Sequence, residues 1–415
     1  MTTHIIGAGL AGLSAAVTLA GAGHRVVLYE AGPAAGGRAR SYFDRALGCR
    51  IDNGNHLLLS GNTAAMDYLD RIGARGTLAG PGEAFFPFMD LATGARWTVR
   101  PGAGRLPWWV FARGRAVPGV RLREYLKLLA LGRAAPGATV AEVLGGGALY
   151  RRLLEPLAVA ALNTRPEQAL AALLRPVVEE TLLRGGRACV PLFAREGLSE
   201  SLVDPALAWL AARGGRLHTG RRIAGLRIAE GRVAGLETPD GAVAVAAGEA
   251  VVLAVPPWVA ADLLPGLVVP DRFEAILNLH FRTEAAPGAA VARAGFLGLI
   301  GGTAEWAFLR PGIVSVTVSA ANHLVDLPAE AIAARVWGDL RAALGLPEAV
   351  APMRVVKEKR ATFAATAAQE RRRPGTRTGL ANLALAGDWT AAGLPATIEG
   401  AIRSGRAAAE VLLAA

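Results

Sequence analysis

The sequence predicts an α/β fold: a Rossmann-like unit assembled from discontinuous segments, with an α+β unit of mixed or antiparallel sheet and helices inserted into it. Three observations carry this prediction. A glycine-rich turn links an opening strand to a helix, a buried apolar strand ends in a Gly-Asp turn near residue 388, and the intervening chain alternates helical and strand-like apolar patterns.

The first element is the opening turn. Ile5 to Gly12 reads Ile-Ile-Gly-Ala-Gly-Leu-Ala-Gly, and Val26-Val27-Leu28-Tyr29-Glu30 closes the unit. Gly7 permits the tight turn, Gly9 lets backbone approach a pyrophosphate, and Gly12 lets the helix pack closely on the sheet. Leu10 and Ala11 open that helix, whose free N–H groups face two phosphates. Glu30 ends the second strand, where a carboxylate accepts both ribose hydroxyls of an adenosine; it would repel a 2′-phosphate, which disfavours NADP.

The choice between NAD and FAD rests on residues beyond Glu30. Ala31 continues from it into Gly36-Gly37-Arg38, two bare amides and a guanidinium suited to phosphate and flavin-side contacts that a plain dehydrogenase does not need. Far along the chain, Leu383 to Asp388 reads as a buried strand ending in Gly387-Asp388, and Asp388 could bind a ribityl hydroxyl. The segment from Gly393 through Leu394-Pro395-Ala396-Thr397-Ile398 reads as the start of a helix whose N–H groups could stabilise negative charge on the flavin. Read alone, that tail is equally an ordinary capped amphipathic helix.

Together these segments resemble the flavin-containing amine oxidase and phytoene desaturase superfamily. Ile51-Asp52-Asn53-Gly54-Asn55-His56-Leu57, Glu155-Pro156 to Asn163-Thr164, Asp204-Pro205-Ala206-Leu207, Val255-Pro256-Pro257-Trp258 and Gly387-Asp388-Trp389-Thr390 are similar to the hydroxysqualene dehydroxylase family within it, from Thr3 to about Leu412. The resemblance implies FAD as cofactor, with Asn53, Gly54, Asn55 and His56 beside the isoalloxazine and the backbone of Ile223 beside the adenine. It implies a hydrophobic isoprenoid substrate, hydroxysqualene, whose allylic hydroxyl leaves on protonation and is replaced by hydrogen from reduced flavin, giving squalene. It does not identify the electron donor or fix the redox direction. A terpenoid or carotenoid desaturase and a non-enzymatic prenyl-lipid carrier of the same fold stay open, although intact Gly36-Gly37-Arg38 and Gly387-Asp388 argue against a carrier that has lost flavin. An amine oxidase is disfavoured, because its lysine and aromatic cage find no place.

His56 and Asp52 are the candidate catalytic residues. His56 is expected to titrate near neutrality and to donate a proton or orient a water, or else to hydrogen-bond flavin or backbone; Asp52 otherwise caps the glycine turn. His280 and Asn278 alternate on one strand face and could both point into the cavity, or form a satisfied sheet-side pair. Glu399 is expected to serve the N-terminal dipole of its own helix. No metal-ligand spacing occurs.

These segments imply a division of the chain into two units. Residues 1–70, 195–260 and 365–415 form the FAD-binding unit, and residues 71–194 and 261–364 the substrate-binding unit. Leu202 to Arg213 reads as a helix, Phe111 to Leu183 as mainly helical, and Ala275–Phe281, Phe296–Ile300, Trp306–Leu309 and Ile313–Val318 as strands. An apolar channel between helices and sheet would suit a long isoprenoid.

At 415 residues the chain can bury a large core. Its net charge of +11 suggests anionic partners, yet only three lysines occur and the arginines are dispersed, so no nucleic acid is expected. Two cysteines make no disulfide framework and suit a reducing bacterial cytoplasm. Mean hydropathy is +0.34, but charges or prolines interrupt the apolar runs, and the longest, from His4 to Gly23, is the nucleotide fingerprint. Leu106-Pro107-Trp108-Trp109-Val110-Phe111, with Arg105, Arg113, Arg115, Arg121, Arg123 and Lys127 around it, has the makings of an interfacial segment, which would place the protein at the inner face of the cytoplasmic membrane. The other reading packs both tryptophans inside.

Overall fold

A computed structural model describes residues 1–414. Five parallel strands form the first sheet, in the order Arg216–His218, Arg25–Tyr29, Thr2–Ile6, Ala250–Leu253, Leu383–Leu385. Both of its faces are covered, so its central strands are apolar runs without alternation: Ile5, Leu28, Val251, Val252, Leu253 and Leu385 are fully buried. The helices Leu10–Gly21 and Ile398–Leu413 cross on one face. They approach so closely that a Cβ on Gly405 would lie 2.0 Å from the Ala11 carbonyl oxygen. Ser14 Oγ donates to the Ile402 carbonyl at 2.8 Å across the same contact.

The second sheet has seven strands, in the order Met353–Phe363, Phe273–Phe281, Ile313–Val318, Trp306–Arg310, Phe296–Ile300, Phe86–Asp90, Arg96–Val99. Its neighbours are antiparallel except for Phe296–Ile300 with Phe86–Asp90. Period-two alternation divides its faces. Leu277, Leu279, Phe281, Val314, Val316 and Val318 pack against Ile332, Val336, Trp337 and Leu340 of the Ala329–Leu344 helix. Asn278, His280, Ser315 and Thr317 share the other face, where Asn278 and Thr317 meet the loop that follows the Cys49–Asp52 strand and His280 pairs with Ser315.

Three of these strands, Phe86–Asp90, Arg96–Val99 and Met353–Phe363, are not among those expected from the sequence. The last is an edge strand, and its Lys357-Glu358-Lys359-Arg360 run obscures the alternation; charge on an edge discourages pairing with another chain. Other boundaries shift too. The Leu202–Arg213 helix is a π turn at Ser199–Val203 followed by Asp204–Ala211. The last helix starts at Ile398, capped by Thr397 Oγ1 accepting from Gly400 N at 3.0 Å, so Pro395 lies before the helix rather than in its first turn. Phe111 to Leu183 is a series of short helices, the longest Ala171–Glu180.

Asn163 and Thr164 fasten these helices to the second sheet. Asn163, held left-handed at φ 46°, donates to the Glu274 carbonyl at 3.2 Å and to Thr362 Oγ1 at 3.0 Å, and accepts from Ala320 N at 2.7 Å. Thr164 Oγ1 accepts from Ala365 N at 2.9 Å. The Leu-Asn-Thr end of that helix therefore joins the Phe273–Phe281 and Met353–Phe363 strands and the turn after Ile313–Val318.

The helix crossing is testable by substitution. Gly405→Ala should push apart the Leu10–Gly21 and Ile398–Leu413 helices, at a cost of about 1–3 kcal/mol, and lower the midpoint of thermal unfolding. An unchanged midpoint would contradict the close approach.

Candidate functional site

The glycine turn leaves a space shaped for phosphate. Gly7, at φ 99°, could carry no side chain, since its Cβ would meet the Ala254 carbonyl oxygen at 2.4 Å. Gly12 is equally enclosed, its Cβ 2.0 Å from the Gly7 carbonyl oxygen, whereas the Cβ position of Gly9 has nothing within 4 Å. Gly9 is the N-cap of Leu10–Gly21 without a side-chain cap, so the N–H groups of that first turn, including those of Leu10 and Ala11, meet the same open space. Gly36 N donates to the Ala8 carbonyl at 2.8 Å, laying Gly36-Gly37-Arg38 across the turn.

Glu30 sits at the end of its strand with both carboxylate oxygens on the turn: Oε2 accepts from Ala8 N at 3.0 Å and Oε1 from Gly32 N at 2.8 Å. Ala31 beside it is exposed. The segment before Ile223 runs past this point, with Glu30 N donating to the His218 carbonyl and Arg221 N to the Glu30 carbonyl, each at 2.8 Å, and Ile223 is buried.

Arg38 and Asp388 meet across 350 residues of sequence, Arg38 Nη2 donating to Asp388 Oδ1 at 2.8 Å and Oδ2 at 2.7 Å. Arg38 Nη1 also donates to the Ala361 carbonyl on the second sheet. Burial opposes the guanidinium's charge, but Asp388 outweighs it and raises the pKa. The Asp388 carboxylate, expected to meet a ribityl hydroxyl, is thus paired with Arg38 in this structure. Gly387 precedes it at φ 152°, where its N–H donates to Ser404 Oγ at 2.9 Å. Leu394, Pro395 and Ile398 are buried and Ala396 and Thr397 half-buried beneath this turn.

The Asn53-Gly54-Asn55-His56 loop is held from behind by the second sheet. Asn278 Oδ1 accepts from Asn55 N at 3.2 Å, Asn278 Nδ2 donates to the Asn53 carbonyl at 3.3 Å, and Asn55 Nδ2 donates to Thr317 Oγ1 at 3.2 Å. The side chains of Asn278 and His280 are buried in this support instead of lining open space. His280 Nδ1 pairs with Ser315 Oγ at 2.8 Å, and burial with the nearby Arg310 charge pushes its pKa down to about 4. A pocket beside the loop is lined by Asp52, Asn55, His56, Phe193, Phe308 and Arg310.

Three expectations about titratable groups change. His56 does not titrate near neutrality: burial and the charge of Arg38 push it down to about 4, so it is a neutral imidazole at pH 7. Asp52 is buried and engaged on both oxygens; Oδ1 accepts from Ser41 Oγ at 2.6 Å and Leu198 N at 2.9 Å, and Oδ2 faces Arg310 Nη1 at 3.4 Å. This is the geometry of a carboxylate that fixes a loop. Glu399 serves another helix, not its own: its two oxygens accept from Ala64 N at 3.0 Å and Ala65 N at 2.8 Å, the first turn of Thr63–Arg71, and Arg403 bridges it to Glu180.

Glu305 is the group that sequence reasoning missed. It lies at the start of the Trp306–Arg310 strand, its N–H donating to the Thr317 carbonyl at 3.3 Å and its Oε2 accepting from Ser319 N at 2.7 Å. Burial outweighs these contacts and the Arg165 charge and raises its pKa to about 7. The residue keeps some accessible surface. The sequence signal was the polar alternation Ser315, Thr317, Ser319 in an otherwise valine-rich strand.

The open space at Gly9, the uncapped helix and the Glu30 carboxylate fit a dinucleotide, and Glu30 gives a test. Glu30→Ala should weaken FAD binding about tenfold or more, since a charge-assisted hydrogen bond contributes about 1.5–3 kcal/mol; Glu30→Gln should fall between it and the parent. Equal flavin dissociation from all three proteins would refute the role.

Comparisons with known proteins give the family. The model of the flavin containing amine oxidoreductases matches residues 10–413. The chain is 48% identical to a hydroxysqualene dehydroxylase of Rhodopseudomonas palustris, covering 100% of this chain and 99% of that one. It is 45% identical to one of Zymomonas mobilis, covering 99% of each. A solved oxidoreductase from Methanosarcina mazei superposes with a TM-score of 0.74 at 16% identity, over 99% of this chain and 100% of that one, a likeness of fold. The chain belongs to the flavin containing amine oxidoreductase family, among the hydroxysqualene dehydroxylases.

Proposed function

We propose that this chain is an FAD-dependent oxidoreductase that replaces the hydroxyl of hydroxysqualene with hydrogen, giving squalene. Its full-length similarity to hydroxysqualene dehydroxylases carries the reading. Residues 1–70, 195–260 and 365–415 hold the cofactor, and residues 71–194 and 261–364 the isoprenoid. Gly7, Gly9, Gly12 and the first turn of Leu10–Gly21 receive the pyrophosphate, Glu30 the adenosine ribose, and Ile223 the adenine edge. Gly36, Gly37, Arg38 and Asp388 stand along the flavin side, and the Leu394–Ile398 turn meets its far edge. The reaction takes place in the bacterial cytoplasm, at the inner face of the membrane in which so apolar a substrate dissolves.

Net reduction of the alcohol takes up two electrons and two protons and releases squalene and water. Bound FAD, when reduced, supplies the electrons and one hydrogen to carbon. The protein must supply the proton that turns hydroxide, a poor leaving group, into water, and must keep water from recapturing the delocalised allylic cation. His56, neutral at pH 7, orients the reacting groups. Asp52, with Ser41, Leu198 and Arg310, fixes the loop that carries it. Glu305 holds the proton, because a carboxyl with a pKa of about 7 is half protonated at neutrality. Trp306 and Phe308, which come after it on the strand, give the space an apolar wall that excludes water.

This assignment fixes the sign of the pH dependence. The protonated carboxyl is the active form and its pKa is raised, so the rate should be full below pH 7 and fall as pH rises through about 7. Reduced holoenzyme mixed anaerobically with hydroxysqualene should give squalene and oxidised flavin. Glu305→Gln should slow this step about 10²–10⁴-fold and remove the fall near pH 7. An unchanged pH profile in that variant would eliminate Glu305 as the acid. Dehydrogenation of squalene or phytoene by oxidised enzyme, with the alcohol untouched by reduced enzyme, would instead identify a desaturase.

A further inference from the structure

The chain's exposed apolar side chains are not scattered. Of twelve large hydrophobic residues left exposed among the described residues, six fall between Leu106 and Leu129: Leu106, Trp108, Phe111, Leu122, Leu126 and Leu129. Trp108, 70% exposed, stands beside Phe111 with ring centroids 6.2 Å apart. Leu122, Leu126 and Leu129 recur at helical spacing along Leu122–Tyr125 and the 3₁₀ segment Leu126–Arg133, so they share one face. The opposite face is anchored: Leu131 is buried, Tyr125 packs edge-on to Trp109 at 5.6 Å, and Lys127 Nζ donates to the Gly145 and Gly146 carbonyls. The paired tryptophans therefore divide, Trp108 turning outward and Trp109 inward.

Charge says what covers this face. Residues 101–133 hold seven cations and one carboxylate, Glu124. Glu124 is occupied with backbone N–H groups of Arg121 and Leu149, while Arg105, Arg113, Arg121, Arg123 and Arg133 are exposed and, among the described residues, none is in an ion pair. Apolar side chains ringed by unpaired arginines match the two layers of an anionic bilayer surface, acyl chains beneath phosphate. The underside is continuous with the substrate unit: Trp109, Tyr125 and Leu128 belong to the same apolar cluster as Phe86, Ile300 and Trp306.

We propose that the Leu106–Arg133 surface docks the protein on an anionic phospholipid membrane and that an apolar substrate enters beneath it. The entry route rests on the isoprenoid reading, but docking is measured without substrate, so its failure would remove the place at the membrane and leave the chemistry of the reaction standing. Holoenzyme is sedimented with vesicles of phosphatidylglycerol and phosphatidylcholine in equal parts, and with phosphatidylcholine alone. Binding should require the anionic lipid and weaken with salt. Arg121→Gln with Arg123→Gln should cost roughly fivefold in affinity for each arginine removed. Trp108→Ser with Phe111→Ser and Leu126→Ser should abolish binding while the flavin spectrum persists. With brominated lipid, quenching of tryptophan fluorescence should disappear in Trp108→Phe and persist in Trp109→Phe. The proposal is overturned if the arginine pair binds like the parent, if Trp108→Phe is quenched as before, or if the parent is a dimer that the apolar variant converts to monomer, since a second copy would then cover this face.

Discussion

Everything in this molecule hangs on the strand Ala250–Leu253, which pairs in parallel with Thr2–Ile6 on one side and Leu383–Leu385 on the other. Parallel neighbours cannot be joined by a tight turn and need long crossovers. The chain uses two very long ones, and each passes out of the first sheet, adds strands to the second, and returns. The cofactor site and the space over it are thus two sides of one topological demand. The pair Arg38–Asp388, with Arg38 also reaching Ala361, closes the seam where the sheets meet.

Much of the first sheet was legible because glycine has few substitutes. Gly7 and Gly12 sit where a Cβ would collide with backbone, so the pattern of glycines is itself a record of close approach. Four strands of the second sheet were legible from alternation. Phe86–Asp90 was not, because Pro87 within the run argues against a strand, and Met353–Phe363 was not, because an edge strand keeps charged residues on positions that an inner strand would bury. Where Asp52 and Glu399 point was also illegible: a carboxylate in a sequence does not say whose N–H groups it will cap. Asp52 caps Leu198 and Glu399 caps a helix more than 300 residues earlier.

The electrostatics show why a histidine and a carboxyl can exchange their usual behaviour. Both His56 and Glu305 are dehydrated, and dehydration favours whichever form is neutral. That leaves imidazole without its proton and the carboxyl with one, at the same pH. The arginines reinforce the first effect and only partly resist the second, since Arg38 faces His56 while the Arg165 charge on Glu305 is outweighed by burial. The charged groups around them, Arg38 with Asp388 and Asp52 with Arg310, are held as opposite pairs.

The order of the strands also governs how the protein comes into being. Leu383–Leu385 and the helix Ile398–Leu413 complete the first sheet and cover its face, yet they follow every other strand of both sheets in the chain. Until they arrive, Val251 and Val252 lack their parallel neighbour and the Leu10–Gly21 helix lacks the surface that Gly405 presses against it. Such distant pairings form slowly and leave apolar surface open in the meantime. The surface behind the glycine turn is therefore closed only by segments that lie more than 350 residues further along the chain.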